Sequence, residues 1–322
     1  MILVVVEHDR GVLADSTREA LNAARSLAEQ TGSAIVALTI GASADGLAGE
    51  LADLGAATVH QAHHAILTDY GPEAWGEVVA QAITSLSPTI VLATGTDRGN
   101  EVLAQAAARL DLPMVANCTE LRPGDGFEVT RVRWGGSLLE QASLSAPVKV
   151  LTVAHHAFDT VAGAPGDGTM STFEPELDAA LARTVVRDRV ERVAGVTLAT
   201  APVVIGGGRG VGSADAFAPL EELAGLLGGV VGCSRAVTNN GWRNHTDQVG
   251  QTGTRIAPDV YFACGISGAI QHWVGAMAAK NIIAINTDKD ANMVTKAGYA
   301  VIGDLHKVVP AISAEIRRRK GL

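Results

Sequence analysis

Between Gly206 and Pro310 the chain repeats one pattern: a short β-rich apolar run ends in a cluster of Gly, Ser, Thr, Asn or Arg, and a helical stretch follows. The clusters read GGGRGVGS from Gly206, CSRAVTNNGW from Cys233, QVGQTG from Gln248, GISGAIQH from Gly265, AINTD from Ala284 and GDLHKVVP from Gly303. Strands without polar alternation need cover on both faces, and the intervening helices supply it, so the pattern demands a mostly parallel α/β sheet. In such a sheet the strand-to-helix turns gather at one edge, where ligands bind.

The amino-terminal half follows the same pattern. Ile2–Val6, Ala34–Ile40, Thr58–His60, Ile90–Ala93 and Val148–Val153 read as strands, and Thr17–Gln30, Glu73–Ser85 and Gly99–Leu110 as helices. In the first helix Ala20, Leu21, Ala24, Leu27 and Ala28 recur at helical spacing. Between Phe127 and Ala142 that period vanishes, and FEVTRVRW, GGS, LLEQA predicts an antiparallel hairpin added to the sheet. From His155 to Gly195 a Gly/Pro/Asp-rich stretch gives way to mixed apolar and charged residues, which reads as a linker followed by one crossing strand. A length of 322 residues accommodates two domains. The texture change puts the boundary near Val190, giving an α/β domain over 1–190 and a second, doubly wound one over 191–322.

Charge and cysteine content remove several function classes. The net charge is −9, and the only dense basic run, Arg317 to Lys320, suits the last turn of a helix, so nucleic-acid binding is disfavoured. Apolar runs fall far short of the roughly 20 residues of a membrane span, so stable membrane insertion is not expected. Cys118, Cys233 and Cys264 form no CxxC pair, and MILVVVEHDRG has neither a basic leader nor a cleavage motif, so a reducing cytoplasm is expected. His63-His64 and His155-His156 read as exposed loop histidines rather than metal ligands: neighbours on a strand face opposite ways, and no carboxylate cluster accompanies either pair. The turn from Ala93 to Asn100 lacks nucleotide-loop spacing and reads as a structural or partner-facing loop.

The carboxy-terminal clusters sort by what a dinucleotide requires. Arg209 and the backbone of Ser267–Ile270 suit phosphates, with Ser267 placed as a helix N-cap. Asn286 and Asp304 suit sugar and base, and Arg235, Thr252 and His272 remain for a redox ring, where cations would stabilise the anionic one-electron state of a flavin. Trp242 and Trp273 read as packing residues, Cys233 and Cys264 as small buried hydrophobes, and Asp304 also as the cap of the final helix. Three functions are compatible with these residues: a redox protein whose flavin carries electrons, a flavin- or NAD-dependent dehydrogenase, and a flavin-free adenine-nucleotide-binding protein. The second lacks both a positioned general base and a Rossmann fingerprint.

SRAVTNNGW (Ser234–Trp242), QVGQTG (Gln248–Gly253), GISGAIQH (Gly265–His272), AINTD (Ala284–Asp288) and GDL (Gly303–Leu305) resemble the alpha subunit of electron transfer flavoprotein. VVVEHDRGVL and the WGG element at Trp134–Gly136 extend the likeness more loosely over 1–155. The resemblance implies an amino-terminal domain of adenine-nucleotide-alpha-hydrolase type that holds no nucleotide of its own, and FAD on the carboxy-terminal domain. It also implies a heterodimer with a beta subunit that carries AMP or a second FAD. Electrons would arrive from an acyl-CoA or other dehydrogenase and leave to a quinone oxidoreductase or another acceptor; an electron-bifurcating, NADH-dependent subclass is the alternative.

By motif, Arg209 and the turn of Ser267, Gly268, Ala269 and Ile270 would hold the phosphates with support from Ser234, and Gly265 and Gln271 complete that motif. Arg235 would lie over the isoalloxazine, Thr252 would bond flavin N5, and His272 would approach the C2 carbonyl. Gln248, Val249, Gly250 and Gln251 would line the ring's pocket, and Asn286, Asp288, Asp304 and Leu305 would bind the adenosine half. Asn239, Asn292-Met293-Val294, Gly298 and His306 depart from the family pattern and mark a divergent branch.

Overall fold

Strand β1 (Ile2–Val5) sends Ile2 and Val4 into one hydrophobic core and Leu3 and Val5 into another, which is why the run has no polar position. The protein is described here by a computed structural model covering residues 1–124, 126–136, 138–159, 163–188 and 196–322. The chain divides into two units, Met1–Val190 and Glu191–Leu322.

In the first unit a short hairpin of β2 (His8–Asp9) and β3 (Val12–Leu13) leads into α1 (Asp15–Thr31), β4 (Ile35–Ile40), α2 (Ala48–Asp53) and β5 (Thr58–Ala62). Then come α3 (Pro72–Leu86), β6 (Ile90–Thr94), α4 (Asp97–Arg109), β7 (Met114–Arg122), β8 (Phe127–Arg133), β9 (Leu138–Leu144), β10 (Lys149–Val153) and β11 (Thr169–Phe173). The sheet order is β11-β5-β4-β1-β6-β10-β7-β8-β9, parallel as far as β7 and antiparallel in the β7–β8–β9 arm. The arm has three strands where the sequence suggests a hairpin. Polar residues interrupt β7, the backbone at Asn117 turns left-handed (φ 60), and the register shifts between Cys118 and Glu120, so no clean alternation marks it.

The segment read as a linker contains β11, a mostly exposed edge strand beside β5. Residues 184–188 and 196–198 form no strand, and the rest of the expected crossing strand, 189–195, lies outside the described residues. The turn after β6 is tied internally: Thr94 and Thr96 hydroxyls both donate to the Glu7 carboxylate, and Thr96 caps α4 by accepting from Gly99 N–H.

In the second unit the elements are β12 (Val203–Gly207), α5 (Ala218–Leu227), β13 (Val230–Cys233), α6 (Arg235–Asn239), β14 (Val260–Cys264) and α7 (Ile270–Ala276). They continue with β15 (Asn281–Asn286), α8 (Asn292–Lys296), β16 (Tyr299–Ile302) and α9 (Leu305–Lys320). All five strands are parallel in the order β13-β12-β14-β15-β16. Ile205, Phe262 and Ile285 face one core and Val204, Tyr261 and Ala284 the other, so this sheet too is covered on both faces. All three cysteines are buried, and burial pushes each thiol up to about 12, consistent with apolar packing. Among the described residues no helix is long and apolar enough to cross a membrane.

Candidate functional site

The chain runs from β12 outward to β13 and then back to β14 on the other side, so the turns after β12 and β14 diverge at the carboxyl edge and leave a crevice. A cleft of about 600 Å³ lies there. Its floor is backbone against backbone: a Cβ on Gly208 would sit 2.1 Å from the Gly265 carbonyl oxygen, so only glycine permits the contact. Arg209 and Arg235 line this cleft, and neither guanidinium has an acidic partner among the described residues. Two uncompensated cations at a strand-to-helix edge mark an anion site.

The sequence places Ser267 as an N-cap, but the structure moves that role. Helix α7 begins at Ile270 with Ala269 in the capping position and no side-chain cap. Ser267 instead sits in the preceding turn, where Gly268 (φ 78) lets the chain pass hard against Met293, whose N–H donates to the Ser267 carbonyl at 3.1 Å. The serine hydroxyl and the first N–H groups of α7 are thereby left for a ligand. Ser234 behaves alike: it occupies the cap position of α6 without making a side-chain cap bond.

His272 lines the cleft yet is 6% exposed. Its Nε2 lies 2.7 Å from the hydroxyl of Tyr261, a fully buried residue of β14, and the rings stack with centroids 6.1 Å apart. Its Nδ1 is buried and lacks a well-formed hydrogen bond within the chain. A phenol donates more readily than it accepts, so Nε2 accepts a hydrogen bond from the Tyr261 hydroxyl and Nδ1 carries the ring proton. Burial pushes the imidazole down to about 4, against a smaller opposing effect of the Val249 backbone, so the ring is neutral at physiological pH.

The 248–253 loop is held by chain contacts. Gln248, 2% exposed, accepts from the Thr238 hydroxyl (2.8 Å) and donates to Thr252 Oγ1 (3.0 Å), which leaves the Thr252 hydroxyl proton for another acceptor. Gln251 N–H donates to Gln271 carbonyl at 2.7 Å, and a Cβ on Gly275 would sit 2.3 Å from the Gly250 Cα. Asn286 joins two turns, its amide donating to Ile266 carbonyl (3.1 Å) and its oxygen accepting from Asp288 N–H (3.1 Å).

Of the residues singled out in the sequence, Arg209, Ser234, Arg235, Gly265, Ser267, Gly268, Ala269, Gln271, His272, Asn286 and Asp288 line the cleft. Gln248, Gly250, Gln251 and Thr252 form the tied loop beside α7, and Val249 is buried in the core under it. Ile270 is exposed away from the cleft lining, Leu305 packs beneath the Gly265 turn, and Asp304 caps α9 by accepting from His306 N–H at 3.0 Å. Gly210, Ala236, Asn239, Ile266 and Ala291 also line the cleft. Asn239 follows Arg235 at i, i+4 on α6, a spacing that puts both on one face; Gly210 and Ile266 belong to the glycine-rich clusters already singled out, while Ala236 and Ala291 present only backbone or methyl groups. Trp242 packs on the core, and Trp273 does so with the Lys296 ammonium 4.8 Å from its ring centre.

A doubly wound sheet whose switch point gathers two arginines without an acidic partner among the described residues, helix-start N–H groups and a buried neutral imidazole has the make-up of a dinucleotide-binding protein of the flavin class. Residues 2–181 match the electron transfer flavoprotein domain, and residues 197–277 match the electron transfer flavoprotein FAD-binding domain. The chain belongs to the electron transfer flavoprotein alpha-subunit family, and its cofactor is FAD. It is 33% identical to the electron transfer flavoprotein subunit alpha of Thermoanaerobacterium thermosaccharolyticum, over 99% of this chain and 98% of that one. It is 36% identical to the subunit alpha of Mycobacterium leprae, over 99% of each, and 33% identical to protein FixB of Clostridium saccharobutylicum, over 98% and 96%.

Proposed function

We propose that this chain is the FAD-carrying subunit of a heterodimeric electron carrier, paired with a beta subunit through its amino-terminal unit. It takes electrons from a partner dehydrogenase and hands them to a quinone oxidoreductase or another acceptor. The observation that carries this reading is the pairing, in one cleft, of two arginines that have no acidic partner among the described residues with a neutral, buried histidine. FAD, when bound, supplies the redox chemistry; the chain's own groups bind and tune it.

Arg209 and the N–H groups at the start of α7 would take the pyrophosphate, with the Ser234 and Ser267 hydroxyls supporting. Asn286 and Asp288, at the end of β15, would take the adenosine side. Arg235 would set positive charge near the isoalloxazine, His272 would donate from Nδ1 to a ring carbonyl, and Thr252 would donate its hydroxyl proton to a ring nitrogen. Gln248 and Tyr261 orient the two donors from behind. Such a site exchanges electrons with a docked protein and needs no substrate pocket.

The test is co-expression with the beta subunit, extraction and counting of FAD and AMP, and reduction assays with candidate dehydrogenases. The reading expects FAD on this chain, lost in Arg209→Ala, and flavin reduction only when a dehydrogenase is present. Turnover of a small substrate by the heterodimer alone would refute the carrier role.

A further inference from the structure

In the amino-terminal unit, far along the sequence from the flavin clusters, two adjacent histidines and a buried glutamate meet. On a strand, neighbours such as His155 and His156 would point to opposite faces. The structure puts them just after β10, in a turn closed by Ala157 N–H donating to Ala154 carbonyl (3.2 Å), with His156 in the left-handed region (φ 60). That conformation brings both rings to one side, their centroids 4.2 Å apart. The missing carboxylate is supplied by α1: Glu19, 7% exposed.

Glu19 is fixed for this purpose. Its Oε2 accepts from the His156 backbone N–H at 2.7 Å, leaving Oε1 to face His155 Nδ1 at 3.7 Å and His156 Nδ1 at 3.5 Å. Each residue presents a ligand atom within 4.8 Å of the others. His155 Nδ1 is buried with no hydrogen-bond partner.

A buried carboxylate facing two imidazoles calls for a cation: a proton on a ring, or a metal ion shared by all three. A proton would close the N···O distances to the roughly 2.7–3.2 Å of a hydrogen bond. Ligands about 2.0–2.1 Å from a tetrahedral ion stand about 3.3 Å apart, and the observed 3.5 and 3.7 Å lie nearer to that spacing. We propose that Glu19, His155 and His156 form a His₂Glu site for a divalent transition-metal ion of the zinc type, with its fourth position open to water. The ion would clamp the start of α1 to the turn after β10 and serve structure.

The experiment uses the FAD-loaded heterodimer made without a polyhistidine tag, which would itself bind the probe. Metal is stripped with chelator, and Zn²⁺ and then Co²⁺ are titrated into the wild type, Glu19→Gln and the His155→Ala/His156→Ala double variant. The expected result is one Zn²⁺ per alpha chain, Co²⁺ absorption bands of a low-coordinate site, and a rise in Tm with Zn²⁺. All three should fall away in both variants, with affinity lower by on the order of 100-fold. FAD content and circular dichroism report folding, and the isosteric Glu19→Gln keeps the test open if the double variant is unstable. Equal Zn²⁺ binding and equal Tm rise in wild type and variants, or no stoichiometric Zn²⁺ in the wild type, would overturn the proposal.

Discussion

His272 is 6% exposed, and burial pushes its imidazole down to about 4, whereas the unfolded chain titrates near the ordinary 6.5. Above 6.5 the ring is neutral in both states. Between 6.5 and 4 the unfolded state binds the proton and the folded state does not, so acid removes stability across that window. A difference of about 2.5 pKa units corresponds to about 3 kcal/mol, of which about 2 kcal/mol is lost by pH 5. The perturbation is acidification of wild type and His272→Gln. Because the chain has two units, the readout is hydrogen exchange of β12, β14 and β15 peptides along a urea series, which reports opening of the carboxy-terminal unit itself. Wild type should lose about 2 kcal/mol more than the variant between pH 7.5 and pH 5. Equal pH slopes for the two proteins would show that His272 is not the buried neutral group described.

Tyr261→Phe leaves His272 Nε2 buried without a donor, at a cost of about 1–3 kcal/mol; nitrogen-detected NMR should show the ring proton shifting from Nδ1 toward Nε2, with weaker FAD binding. Arg235→Ala should lower the flavin potential by tens of millivolts in a redox titration while FAD remains bound. Gly208→Ala drives a Cβ into the Gly265 carbonyl, and the separated turns should release FAD with the sheet still folded by circular dichroism. Asp304→Ala removes the α9 cap bond to His306 and should cost about 1 kcal/mol in chemical denaturation.

The order of strand, cluster and helix was legible in the sequence because each signal is local: an apolar run covered on both faces, a glycine at a tight turn, a stripe at helical period. That local record determined the α/β class, the cleft clusters and, through the motifs from Ser234 to Leu305, the flavoprotein family. Tertiary structure decided the rest. β7 and β11 take their place from neighbouring strands and not from their own period, so Met114–Arg122 and Thr169–Phe173 gave no clear sign. Ser267 lost its cap role because the Gly268 turn delays α7 to Ile270. The functional shading of His272 by Tyr261, of Thr252 by Gln248, and of His155 and His156 by Glu19 depends on contacts across 11, 4 and more than a hundred positions. Distances and burial of that kind set protonation, donor direction and metal-binding geometry, and they exist only once separate elements have packed together.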